Sequence, residues 1–365
     1  MELRSGEVGV WRLAAQRVVP VLPDAPDAPD AAATAAGVVR HLAAVQAQDL
    51  RAAATAVAVR TAAGTVDGLA AALDAGTVVR SWPMRGTLHL IAAADLPWVL
   101  DLCAQRTVTA TRRRRAELGI SAADLDVARD TALGSLPPGG ATRAELLAAF
   151  EAAGQATRAG RGYHLLLDLS LSGTLCQGPL RGREQLFVRA REWITGPATP
   201  ADPLAEWTRR YLRGHGPATP ADLAHWTGLP LGRARQGFAA VRDEFEAVTV
   251  EGVEHLVAPE VPGLVAAHRR ALRGVHLLPG FDEFLLGYRD RSHVLAPEHA
   301  GRVTPGGNGV FRGTVVVAGQ VAGTWTRGGT GPAGDVVADP FTPLAPARAA
   351  DLARRARTLP AGWLG

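Results

Sequence analysis

The sequence predicts an α+β fold: tandem helix–turn–helix units, each closed by a β-hairpin as in a winged helix, then a β-rich C-terminal part. Two observations carry this. The segments "GGATRAELLAAFEAAG" (139–154) and "GPATPADLAHWTGLP" (216–230) share Gly, Ala-Thr, an acidic residue before Leu and a closing Gly at similar spacing. Beyond residue 275 the texture changes to "NGVFRGTVVVAGQVAGTWTR", whose alternating valines around Ala-Gly-Gln read as a hairpin.

The elements follow in order. Residues 21–35, "VLPDAPDAPDAAATA", are low-complexity and read as a surface loop. Residues 36–47 and 50–60 read as helices, with Asp49 placed to cap the second. "VDGLAAALDAGTVV" is a third helical stretch, and "SWPMRGTLHLIAA" a strand pair around Gly86. In the two repeated segments Thr142 and Thr219 can cap short helices. The first copy continues into a helix, "GRGYHLLLDLSLSG", and a strand, "REQLFVRAREW". The second continues into "PLGRARQGFAAV", a helix, and "FEAVTVEGVEHLVAP", a hairpin turning at Glu251-Gly252. "GPATPADP" (196–203) is a linker, and "APARAADLARRARTL" an amphipathic helix with arginine on its outer face. The expected division is 1–135, 136–198 and 199–262 for three winged helices, with 263–365 as the β-rich part.

A chain of 365 residues exceeds one ordinary core and points to roughly two to four compact units. Apolar residues make up 47% and charged residues 20%, a globular composition. There is no long apolar run or signal-peptide plan, so an intracellular location is expected. Cys103 and Cys176 make neither a disulfide framework nor a zinc site, and no metal is expected. Every basic side chain other than histidine is arginine. Arginine suits a polyanionic partner, although the formal charge is only +4 and a GC-rich genome favours arginine too. The lack of lysine excludes a lysine Schiff base and a Walker A phosphate site. The glycines form no GxGxxG fingerprint, so no nucleotide cofactor is expected. Aromatics, at 5%, are too few for a single-strand stacking platform.

Gln46 and Gln48 stand two apart in "HLAAVQAQDL". On a regular helix such positions lie far apart around the cylinder, so one face cannot show both unless the helix ends or kinks at Ala47. The plain alternative is two polar residues on a partly exposed helix. Arg85, Thr87 and His89 alternate, so on a strand they share a side. They either line a cleft or form a salt bridge and a satisfied buried histidine. In "GFDEFLLGYRDRS", Asp282, Glu283, Asp290 and Arg291 lie among large apolar residues. The cluster could bring Tyr288 and Arg291 to a DNA groove, or be an ion-pair network locking two domains. "TRRRRAELG" (111–119) is the strongest local positive charge, spread around a helix so that only part could face one partner.

"QAQD", "WPMRGTLH", "LLPGFDEFLLGYRDRS" and "NGVFRGTVVVAGQVAGTW", in that order, resemble the tandem winged-helix DNA glycosylases typified by AlkZ and YcaQ. The resemblance runs from about residue 8 to residue 360. It implies a C-shaped clamp of three winged helices that removes bulky N7-alkylated guanines, interstrand crosslinks included, made by genotoxic natural products. That family's motif is Gln–apolar–Gln in the AlkZ type and Gln–apolar–Asp in the YcaQ type. Gln46-Ala47-Gln48 is similar to the first, which implies that Gln46 and Gln48 are catalytic. Arg85, Thr87, His89, Tyr288 and Arg291 are then the expected DNA- and lesion-binding residues. The partner is double-stranded DNA and the chain is expected to act as a monomer, without cofactor, in self-resistance.

The chemistry is consistent with neutral side chains. Guanine alkylated at N7 is cationic, and cleaving its glycosidic bond neutralises it, so a strong general acid is dispensable. Two amides can orient one water toward the sugar. Without a lysine, the reaction is expected to stop at an intact abasic site. A non-catalytic winged-helix regulator fits the repeats equally well. An unrelated carbohydrate-active hydrolase, suggested by the paired acids, would show no affinity for duplex DNA.

Overall fold

Helices and hairpins alternate along the chain, and tight turns set the hairpin registers. The computed structural model describes residues 1–19, 31–62, 64–307, 309–328 and 334–360. Eleven strands are present among them: β1 (Ala44–Gln46), β2 (Val78–Met84), β3 (Thr87–Ala92), β4 (Leu175–Arg181), β5 (Glu184–Arg189), β6 (Glu246–Val250), β7 (Val253–Val257), β8 (Val275–Leu278), β9 (Gly313–Val317), β10 (Gln320–Arg327) and β11 (Val336–Pro340). Three hairpins turn through two residues, Arg85-Gly86, Glu251-Gly252 and Ala318-Gly319, all at positive φ. That is the primed turn whose twist matches paired strands, and glycine at the second position removes half of its steric cost.

Two compact units result, and one is discontinuous. It joins Met1–Leu69 to Leu204–Gly365; the other is Ala70–Pro203. The second unit orders its strands β3-β2-β4-β5, with the helices Leu96–Glu117, Ala122–Ser135, Arg143–Ala152 and Arg161–Leu171. The first contains the β6–β7 hairpin and an antiparallel sheet ordered β11-β10-β9-β8. The helix Pro346–Thr358 covers that sheet, burying Leu352 with Val275, Leu277, Val315 and Trp325.

The repeated Ala-Thr segments fold alike, for a reason visible in both. Thr142 and Thr219 cap the helices Arg143–Ala152 and Pro220–Thr227, and the acid three residues on, Glu145 or Asp222, returns a bond to the cap's N–H. Each leads into a second helix, Arg161–Leu171 or Leu231–Ala240, and then a hairpin, β4–β5 or β6–β7. In each copy the alanine before the cap bridges to the hairpin's second strand, Ala141 to Phe187 and Ala218 to Leu256.

Near the N-terminus the structure corrects the expected boundaries. Residues 20–30, most of the low-complexity stretch, lie outside the described residues, and helix begins at Ala31 rather than at 36. It also ends at His41 instead of running to 47. The first copy's single expected strand is a β4–β5 pair.

Candidate functional site

The segment carrying Gln46 is extended, and three contacts within the first unit help to hold it. Helix Ala31–His41 stops as the His41 ring bonds the Ala15 carbonyl through Nε2 at 2.6 Å. Ala43 then reverses the chain at φ 62°. Gly214 packs so closely that a Cβ there would lie 2.5 Å from the His41 carbonyl oxygen. Within a helix the Gln46 N–H would donate to the Leu42 carbonyl; instead it donates to Glu283 Oε1 at 2.9 Å. Tertiary bonding thereby overrides an alanine-rich helical propensity.

Extension changes what the spacing of two means. Residues two apart share a side only where the chain stays extended, and here the strand stops at Gln46. Gln46 ends β1 at 8% exposure, Ala47 is fully buried, and Gln48 is exposed in the bend that follows. Asp49 then caps the helix Leu50–Ala58 as expected, Oδ1 accepting from Arg51 N at 2.9 Å and Ala52 N at 3.1 Å.

The sequence places Glu283 only within a charged cluster; its bond to the Gln46 segment is the contact that sequence reasoning missed. The second Glu283 oxygen, Oε2, accepts from Trp226 Nε1 at 2.8 Å and lies 3.4 Å from His215 Nε2. The visible signal was an Asp-Glu pair flanked by phenylalanines, since a buried acid must find donors. Its neighbour Asp282 caps the short helix Glu283–Leu286 and grips the buried Arg60 guanidinium with both oxygens, at 2.8 and 2.9 Å. Arg60 further donates to the Gln16 carbonyl at 3.0 Å and to Gln16 Oε1 at 2.9 Å. Asp282 thus belongs to an ion-pair network, joining positions 222 residues apart in sequence.

Tyr288 continues that network and is not at a groove. It is fully buried, donates to the His215 carbonyl at 2.7 Å and accepts from Gln16 Nε2 at 3.1 Å. The Arg12 guanidinium lies 3.4 Å from its ring centroid. Burial pushes its phenol above the ordinary value of 10. A side chain with no exposed surface cannot meet a duplex, which corrects the expectation for Tyr288. Arg291 is partly exposed, donates through Nε to the Leu285 carbonyl at 2.7 Å and lies 5.1 Å from the Phe311 ring centroid.

Arg85, Thr87 and His89 belong to the second unit and come together there, although Arg85 is a turn residue rather than a strand residue. His89 is buried; its Nδ1 lies 2.9 Å from the Thr87 carbonyl and its Nε2 3.4 Å from Arg85 Nη2. A carbonyl can only accept, so Nδ1 carries the proton it donates to Thr87. Half of the charge of the arginine run is neutralised: Arg113 and Arg114 share Glu117, and Arg115 pairs with Asp168. Cys103 and Cys176 are free, and burial pushes both thiols up to about 12. Among the described residues no cluster of His, Cys, Asp or Glu could hold a metal, and no helix is long and apolar enough to cross a membrane.

A family model described as DNA glycosylase AlkZ-like matches residues 39–361, from the helix before Gln46 to the C-terminal helix. The chain belongs to the AlkZ-like DNA glycosylase family. It is similar to an interstrand DNA cross-link repair glycosylase of Streptomyces sahachiroi, 29% identical over 334 residues that cover 87% of this chain and 86% of that protein. It is also similar to the solved structure of the Streptomyces sahachiroi DNA glycosylase AlkZ. That match has a TM-score of 0.77 at 27% identity, spanning 98% of this chain and 96% of the other. The mixed helix and sheet architecture of this AlkZ-like chain is therefore that of a solved family member.

Proposed function

We propose that this AlkZ-like chain is a monofunctional DNA glycosylase that hydrolyses the N-glycosidic bond of bulky N7-alkylguanine, interstrand crosslinks included. In this reading Gln46 and Gln48 are the catalytic pair. The observation that carries it is Gln46 at the end of a strand, anchored at its N–H by the buried Glu283 and followed through Ala47 by an exposed Gln48, in a chain of this family. The relative in Streptomyces sahachiroi, named for interstrand DNA cross-link repair, supports crosslinked DNA as a substrate; the role proposed with it is self-resistance.

The mechanism asks little acid chemistry of the protein. The alkylated base leaves as a neutral molecule, while positive charge develops on the deoxyribose. Each glutamine amide offers a carbonyl acceptor and an NH2 donor. Together they hold one water against the anomeric carbon, with a carbonyl dipole facing the developing charge. Fixing the Gln46 backbone from beneath limits the motion of the pair. Neutral amides also avoid placing a negative charge beside DNA phosphates. Arg85, Thr87 and Arg291 are proposed to contact DNA or lesion, with the buried His89 positioning Arg85, and the chain acts as a monomer.

The test is incubation of duplexes carrying N7-methylguanine or bulkier N7 adducts, scoring alkali-labile abasic sites. Accumulation of abasic sites at the adduct supports the reading. Sequence-selective duplex binding with no base release assigns a regulator instead.

A further inference from the structure

Five arginines line an open groove of about 750 Å³ in the first unit, which none of the proposed catalytic or DNA-contacting residues lines. One wall is the segment following helix Val261–Ala267, with Arg270 and Arg273; the other is the helix Pro346–Thr358, with Arg348, Arg354 and Arg355. Asp351 is the one carboxylate lining it. Five guanidinium charges against one carboxylate leave +4, equal to the formal net charge of the entire chain.

The fold holds these charges in place. Leu352 is buried in the core of the β8–β11 sheet, and Asp351 Oδ2 accepts from Val275 N at 3.2 Å, fixing how the helix is rotated. Positions 348, 351 and 355 form one stripe of that helix, at spacings of three and four. Asp351 Oδ1 is engaged by Arg354 and lies 3.7 Å from Arg355 Nε. Arg273 reaches Glu7 only at 3.8 Å. Arg270 and Arg348 have no ion-pair partner among the described residues.

We infer that this groove carries the sugar–phosphate backbone of duplex DNA. Arginine forks match phosphate oxygens in pairs, and opposed basic walls across an open channel fit a polyanionic strand. An acidic protein segment is the competing occupant. A duplex is favoured because its phosphates are regularly spaced along the strand and the chain belongs to a DNA glycosylase family. The inference rests on the glycosylase reading and adds a contact surface to it.

Arg270→Gln/Arg348→Gln in the full chain is the informative variant. A charge-matched control is Arg113→Gln/Arg129→Gln, whose arginines already pair with Glu117 and Asp126. Affinity for an undamaged labelled duplex is measured across a salt series. The groove variant should lose about 0.9 from the magnitude of the log–log salt slope for each phosphate contact removed, close to 2 in all. The control should keep the wild-type slope, both should melt like wild type, and excision at saturating protein should proceed at the wild-type rate. Wild-type excision together with an unchanged groove-variant slope, or an equal fall in the control, overturns this inference alone. A wild-type chain that neither binds duplex nor releases base removes the glycosylase reading, and this inference with it.

Discussion

The Gln46 N–H and Glu283 Oε1 meet at 2.9 Å across 237 residues of sequence, tying the glutamine segment to the interior of the first unit. Glu283→Ala would leave two buried donors, the Gln46 N–H and Trp226 Nε1, without their acceptor. Each such loss costs about 1–3 kcal/mol. The variant should melt lower and, assayed well below its melting point, excise on the order of 10²-fold more slowly, the usual effect of misplacing a reacting group by an ångström. Single-turnover excision alongside a melting curve checks both; a destabilised variant of unchanged rate would show the anchor to be structural only.

Arg60 and Asp282 supply a second measurable quantity. Both are buried and their contact is bidentate. Asp282→Asn leaves an uncompensated guanidinium inside the unit, which should cost about 3–5 kcal/mol. Denaturant titration should show a lower midpoint at nearly unchanged slope.

Acid sensitivity follows from two histidines. Burial pushes His276 and His41 from the usual 6.5 down to about 4. Both are therefore neutral in the folded chain where the unfolded chain takes up protons. Stability should rise with pH between about 4 and 6.5 and be lost as pH falls through that window. Denaturation midpoints between pH 5 and 7 test this, and His276→Gln should flatten the dependence by up to about 1.4 kcal/mol per pH unit. An unchanged dependence in that variant would contradict the assignment.

The absence of lysine makes a product prediction. With no lysine amine to attack the sugar, strand scission at an abasic duplex should stay at the level of a protein-free control. Gel analysis without alkali reads this directly. Protein-dependent β-elimination would contradict monofunctional chemistry.

What was legible in the sequence was mostly local. The Thr142 and Thr219 caps, the Asp49 cap and the turns at Gly86, Glu251-Gly252 and Gly319 are each written into a few adjacent residues. The extended path of Gln46 was not, because it is enforced by Gly214 and Glu283, far along the chain, against a local preference for helix. Tyr288 was misread for a similar reason. Its neighbours in sequence are charged, but its partners in space are Gln16, His215 and Arg12.

In the glycosylase reading the two amides of Gln46 and Gln48 hold the attacking water. Gln46→Ala/Gln48→Ala, compared with wild type on one duplex carrying a single bulky N7-alkylguanine under single-turnover conditions, tests it most directly. Excision should fall by about 10²–10⁴-fold, the scale of a positioned catalytic group. Duplex affinity and melting temperature should stay close to wild type. Excision by the double variant at the wild-type rate would contradict the account.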